Sequence, residues 1–226
     1  MIRPTVTSEF KAPRRLPGCV PPEDLYGLEG PILDHLADET RGFTAGVRGA
    51  SSPEYPEAEA FIPAQHFRPG SGRAPRAISQ IVIHVTAGQA DYRRTVKYFQ
   101  HPTRHSEPLC VSAHYVIGQG GEVVQMVRHD DVAFHARSAN ARSIGIEHVA
   151  RPPGEWSASD EGLFPTPQEY LASARLVHFL CRRYGLPLDR AHILGHVEAD
   201  PETSHTNCPD GAWNWDYFMG VLASVS

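Results

Sequence analysis

The chain has 226 residues, 41% hydrophobic and 21% charged, a globular balance with room for one well-packed domain and an accessory segment. A formal net charge of −5 offers no general attraction to nucleic acid or to an anionic membrane, and no apolar run approaches the ~20 residues of a membrane span. Four cysteines, Cys19, Cys110, Cys181 and Cys208, form no CxxC pair and are too sparse for a disulfide-built scaffold.

The opening "MIRPTVTSEFKAPRRL" has no apolar signal core, so synthesis in the cytoplasm is the expectation. Residues 1–75 are rich in Pro, Gly, Ala and Glu. A short amphipathic stretch predicts a helix around Ile32 to Ala37, and "ASSPEYPEAEAF" and "RPGSGRAPR" read as loop or linker. This region is expected to be an extension that wraps a main domain spanning residues 76–226.

From Ala77 the texture changes. "ISQIVIHV" is a β-rich apolar run that predicts a central strand. In "DYRRTVKYFQ", Tyr92, Val96 and Phe99 share one helical face behind an Asp91 N-cap. "VSAHYVIGQGGEVVQMV" predicts a hairpin closed by a Gly-Gly turn, and "SIGIEHVA" another short buried strand. "TPQEYLASARLVHFLCRRYG" is the clearest helix, with Thr166 as cap, Pro167 in the first turn, Glu169 completing a capping box and Gly185 at the stop. "HILGH" reads as the end of a strand, and "WNWDYF" as the start of a final helix packed on the sheet. Strands interleaved with helices predict an α/β domain, a mixed central β-sheet flanked by helices.

Ten of the 13 histidines fall between His84 and His196. His84 and His196 each close a predicted strand, and Cys208 follows twelve residues later in a Pro/Gly loop. Two imidazoles and a thiolate with an open fourth position make a catalytic zinc site, whereas a structural site needs a fourth protein ligand. His192 and His196 also form an H-x-x-x-H pair, but Ile193 stands where a metalloprotease helix carries its glutamate, so His192 reads as a supporting residue. His101 and His105 read as surface residues. Taken singly, a strand-end histidine or a loop cysteine is more often a packed core residue than a ligand.

Five stretches occur in one order: "IVIHVTAG", "VSAHYVIGQGGEVVQMV", "VAFHARSANARSIGIEHVA", "ILGHVEADP" and "TNCPDGAWNWDYF". With them the chain from about Ile78 to Trp215 resembles the type 2 N-acetylmuramoyl-L-alanine amidases, which include bacteriophage lytic amidases and share their fold with peptidoglycan recognition proteins. The resemblance implies His84, His196 and Cys208 as ligands of Zn2+ and Glu147 as the catalytic carboxylate. It places His135, Asn140 and His114 at or beside the muropeptide groove. Many members use a tyrosine just before the histidine matched by His114; here that residue is Ala113. Where many members carry a lysine two residues before the last ligand, this chain has Thr206, which leaves Thr206 and the adjacent His205 as candidates for holding the oxyanion.

The implied reaction is hydrolysis of the amide between N-acetylmuramic acid and L-alanine. The implied partners are peptidoglycan and muropeptides, without nucleic acid or membrane insertion, for a chain expected to act as a monomer. The expected place of action is the cell wall after release, or the cytoplasm on recycled muropeptides. Glu147 should be partly buried, which raises its pKa, rather than paired with Arg142 or Arg151. The competing readings are a non-catalytic muropeptide-binding module and a zinc peptidase acting on another cell-wall amide.

Overall fold

The computed structural model describes residues 52–70, 77–101, 103–104, 107–203 and 207–225, with backbone alone for 103–104 and 107–108. The helix expected around Ile32 to Ala37 lies outside the described residues. A sheet of six strands runs in the order β1-β6-β5-β7-β2-β8. Its members are β1 (Ala60–Phe61), β2 (Gln80–Val85), β5 (Tyr115–Ile117), β6 (Val123–Gln125), β7 (Ser143–His148) and β8 (Ile193–Gly195). A separate two-stranded ribbon pairs β3 (Thr103–Arg104) with β4 (Glu107–Pro108). Among the described residues, only the β5–β6 hairpin is antiparallel in the large sheet, and its other strand pairs are parallel. This is the mixed sheet that the interleaved pattern predicts.

β2 and β7 are the centre, and their near-continuous apolar runs are what strands covered on both faces require. Strand alternation divides their side chains. Ile81, Ile83 and Val85 join Ile144 and Ile146 on one face, under α2 (Pro167–Tyr184) and α4 (Trp215–Ser224). Val82 and His84 face the other way with Gly145 and Glu147, because the parallel register sets Val82 beside Gly145 and His84 beside Glu147. That second face is covered by α1 (Tyr92–Gln100), the 3-10 helix Arg137–Arg142 and the one-turn α3 (His196–Ala199).

The predicted caps are in place. Asp91 accepts from the Arg93 N–H and Thr166 from that of Glu169, while Gly185 ends α2 at φ 66. The Gly118–Gly121 turn closes the hairpin, with Gly121 at φ 90.

Two expectations change. "ASSPEYPEAEAF" reads as loop or linker, yet its Tyr55 and Ala58 are core residues and its last two residues form β1, which extends the sheet beside β6. Few buried side chains among Pro and Glu leave too little periodicity to show this. "HILGH" also does not stay extended to its end: the chain turns helical at His196. Glu198 Oε2 accepts from the Gly195 N–H at 2.6 Å and caps α3 at that point.

Candidate active site

His84 stands near the C-terminal end of buried β2, a strand paired on both sides, with Glu147 of β7 as its register partner. Cys208 reaches it from the loop before α4, with its Sγ 3.8 Å from His84 Nδ1 and 3.5 Å from the Val85 N–H. His196 opens α3 with its ring edge-on to His84, centroids 4.6 Å apart. Gly195 permits this approach, since a Cβ there would lie 2.6 Å from Pro209 Cδ. One ligand atom from each of His84, His196 and Cys208 lies within 4.8 Å of the other two. These three predicted ligands therefore converge. A tetrahedral centre with Zn–S of ~2.3 Å and Zn–N of ~2.0 Å sets its sulfur and nitrogen roughly 3.6 Å apart, so the donor set and its spacing fit zinc.

Hydrogen-bond accounting also prepares His84 as a ligand. Ser143 donates its hydroxyl proton to the Ala139 carbonyl at 2.8 Å, so its oxygen accepts from His135 Nε2 at 3.1 Å. His135 Nδ1 is then an acceptor for His84 Nε2–H at 2.9 Å, which leaves the His84 Nδ1 lone pair facing Cys208. This tautomer is assigned from the network. Burial, reinforced by the charge of Glu147, holds the Cys208 thiol well above its usual range, so metal uptake must displace a proton there.

Glu147 lies beside His84 in the register. Its Oε2 is shielded from solvent without a hydrogen-bond partner, and burial pushes its pKa up to about 8. The arginines that could have neutralised it are engaged elsewhere. Arg142 donates to the Ser138 carbonyl, and Arg151 forms a bidentate pair with Asp160.

The other predicted residues divide. His135 is partly buried against His84 and His114, and lies so close to β7 that a Cβ at Gly145 would meet its ring at 2.5 Å. Asn140 Oδ1 accepts from the backbone N–H groups of His135 and Ala136, so it shapes the turn that presents His135. His114 is completely buried, with Nδ1 accepting from the Gly145 N–H and Nε2 3.3 Å from the Asp131 carbonyl. It ties β5 to β7 and does not line a groove, contrary to the expectation. Thr206, His205 and His105 lie outside the described residues. His192 pairs with Asp189 at 2.7 Å, away from the cluster, and His101 is exposed. Cys181 is a free buried thiol like Cys208, and Cys110 is disulfide-bonded.

Three contributors escaped the sequence reading. Asp200, one helical turn past His196, sets Oδ2 4.0 Å from His196 Nε2 and is gripped by Arg137 through bonds of 2.6 and 3.2 Å. Arg137 holds φ 37 to make that pair, an unusual conformation for a residue with a side chain. Ser143 is the third. The i, i+4 spacing of His196 and Asp200 was a usable signal only if a helix had been expected there.

A His–His–Cys cluster that could hold a metal ion, with a half-buried carboxylate beside it, is set where parallel strands of an α/β sheet end. Residues 74–211 match the N-acetylmuramoyl-L-alanine amidase family, and the chain belongs to it. It is 35% identical over 116 residues to N-acetylmuramoyl-L-alanine amidase A of Achromobacter lyticus, a match covering 50% of this chain and 56% of that protein. The chain thus aligns with little more than half the length of that relative. Among solved structures it is similar to a selenomethionine derivative of AmpD, with 25% identity, TM-score 0.57 and coverage of 74% of this chain and 95% of that one. It also shares its fold with the amidase AmiD from E. coli, with 21% identity, TM-score 0.52 and coverage of 68% and 61%. AmiD was solved with anhydro-N-acetylmuramic acid-L-Ala-D-gamma-Glu-L-Lys as substrate. No helix of the described residues is long and apolar enough to cross a membrane.

Proposed function

We propose that this chain is a zinc-dependent N-acetylmuramoyl-L-alanine amidase acting on peptidoglycan or its muropeptide fragments. The observation that carries this reading is the convergence of His84, His196 and Cys208 within 4.8 Å, beside the unpaired carboxylate oxygen of Glu147. Zinc held by these three residues would lower the pKa of a bound water toward ~7 and polarise the amide carbonyl.

Glu147 is the proposed general base. Its carboxylate takes a proton from the attacking water as the oxygen bonds to the carbonyl carbon. It passes that proton to the alanine nitrogen as the C–N bond breaks. A nearby divalent cation favours the ionised carboxylate that the first step needs, while burial keeps the protonated form accessible for the second. Thr206 or His205 is the proposed donor to the oxyanion, a role whose loss typically costs ~10²–10³ in turnover. His135 and Asn140 keep their proposed place beside the substrate, acting through the orientation of His84.

The test is digestion of purified cell walls by the zinc-loaded chain with and without a chelator, counting new amino termini and reducing ends. Chelator-sensitive release of alanine amino termini without new reducing ends is expected. Binding without release would mean a recognition module, and amines from elsewhere in the stem would mean a peptidase.

A further inference from the structure

We propose that the loop from Arg151 to Phe164 is the glycan-binding wall of the active site, and that Trp156 is the platform on which a pyranose ring of the substrate stacks. This rests on the amidase reading above. β7 does not lead directly into α2. The intervening chain forms a loop closed by paired backbone bonds between Arg151 and Leu163, at 2.7 and 2.8 Å.

The loop is fastened to both segments that carry the cluster. Trp156 Nε1 donates to the Ala87 carbonyl at 3.2 Å, three residues past His84, and Arg151 donates to the Gly88 carbonyl at 3.0 Å. Three residues past Cys208, Gly211 packs so tightly on Pro152 that a Cβ there would come within 2.7 Å of the proline. Ala87, the acceptor for the indole, holds φ 51, a left-handed conformation that persists for a residue with a side chain where the surroundings fix it.

Trp156 is nevertheless 47% exposed. One face of its ring carries the Arg151 guanidinium, 3.6 Å from the centroid, and its N–H edge is tied down. A large aromatic fixed at its edge and on one face, with so much surface left open, is neither a core residue nor a freely moving surface one. Its negative ring face suits the electropositive C–H face of a sugar ring. The exposed carboxylates of Glu155 and Glu161 can accept from sugar hydroxyls, and they repel a stem peptide that itself carries carboxylates. The loop's chemistry therefore selects the glycan side of the scissile amide.

The experiment uses the zinc-loaded full chain carrying Glu147→Gln, to suppress turnover, and two probes in calorimetric titrations. One probe is the N-acetylglucosaminyl-N-acetylmuramic acid disaccharide, the other the tripeptide L-Ala-D-γ-Glu-L-Lys. Adding Trp156→Ala is expected to weaken disaccharide binding ~3–10-fold relative to tripeptide binding, with Trp156→Phe intermediate. Bound zinc and the Trp156→Phe variant keep the result interpretable if the alanine variant folds poorly. No disaccharide binding by the parent, equal weakening of both probes, or weakening of the tripeptide alone overturns the proposal. Disaccharide binding that depends on Trp156, in a protein whose unsubstituted form cuts no wall, would sink the amidase reading and leave the platform standing.

Discussion

Glu147 and His148 are neighbours on β7 and point to opposite faces of the same sheet, where two kinds of polar burial meet. On the α2 face His148 is fully buried. Its Nδ1 lies 3.0 Å from the His84 carbonyl, its Nε2 2.8 Å from Ser173 Oγ, and its ring against Trp213. Burial pulls its pKa down to about 3, so it stays neutral and both nitrogens are used within the fold. On the opposite face Glu147 Oε2 has no partner, and the lone pair of His84 converges with Cys208 and His196. The difference teaches that a buried histidine marks a function only where its donor atoms meet other donor atoms in one place. Where each finds its own protein partner, the residue is architecture.

The sharpest way to break this contrast is to remove groups from the cluster. Cys208→Ala takes away one of three proposed ligands and should reduce bound zinc and wall hydrolysis together to background. Retention of stoichiometric zinc by elemental analysis would show that the cluster is not the site. Glu147→Gln keeps the shape of the side chain but cannot take the water's proton. It should hold zinc and lose ~10²–10⁴ in turnover, and full turnover would mean that the base lies elsewhere. A smaller effect tests the relay behind His84. His135→Ala removes the acceptor for His84 Nε2–H and should weaken zinc binding ~10–100-fold in a competition titration. A rise in KM with zinc affinity intact would instead mean that His135 acts on the substrate and not through His84.

Much of the fold was legible because the central strands are continuous apolar runs and α2 carries its cap, first-turn proline and terminal glycine. The cluster was legible too, since the two strand-end histidines and the loop cysteine are chemically conspicuous. What escaped depends on side chains meeting across the chain. Asp200 matters only once α3 forms, and Ser143 only once the turn at Asn140 lays His135 over Gly145. His114 misled for the same reason: an imidazole that ties two strands together looks, in sequence, like one that lines a groove. Tyr55 and Ala58 show the same limit for packing, being core residues in a stretch whose composition reads as linker.

The α2 face makes a prediction of its own, with a signature that the opposite face does not share. Glu169 is fully buried, and its Oε1 accepts from the Val149 N–H at 2.6 Å while Oε2 has no partner. Burial outweighs the hydrogen bonds that the carboxyl accepts from the Val149 and Thr166 backbone N–H groups, and pushes its pKa up to about 8. In the unfolded chain the same carboxyl ionises near its ordinary value of 4.5. Between those two values the folded protein keeps a proton that the unfolded chain has lost, so this group makes stability fall as pH rises through the window. Glu169→Gln copies the shape of the protonated acid and retains an oxygen for Val149, so it should lack that slope. Urea unfolding should find the two proteins alike near pH 4 and the glutamine variant the more stable above pH 8, with bound zinc unchanged. A glutamine variant that loses stability relative to its parent as pH rises would show that the buried carboxylate is stabilised by its two backbone donors, and that this face too holds a charge.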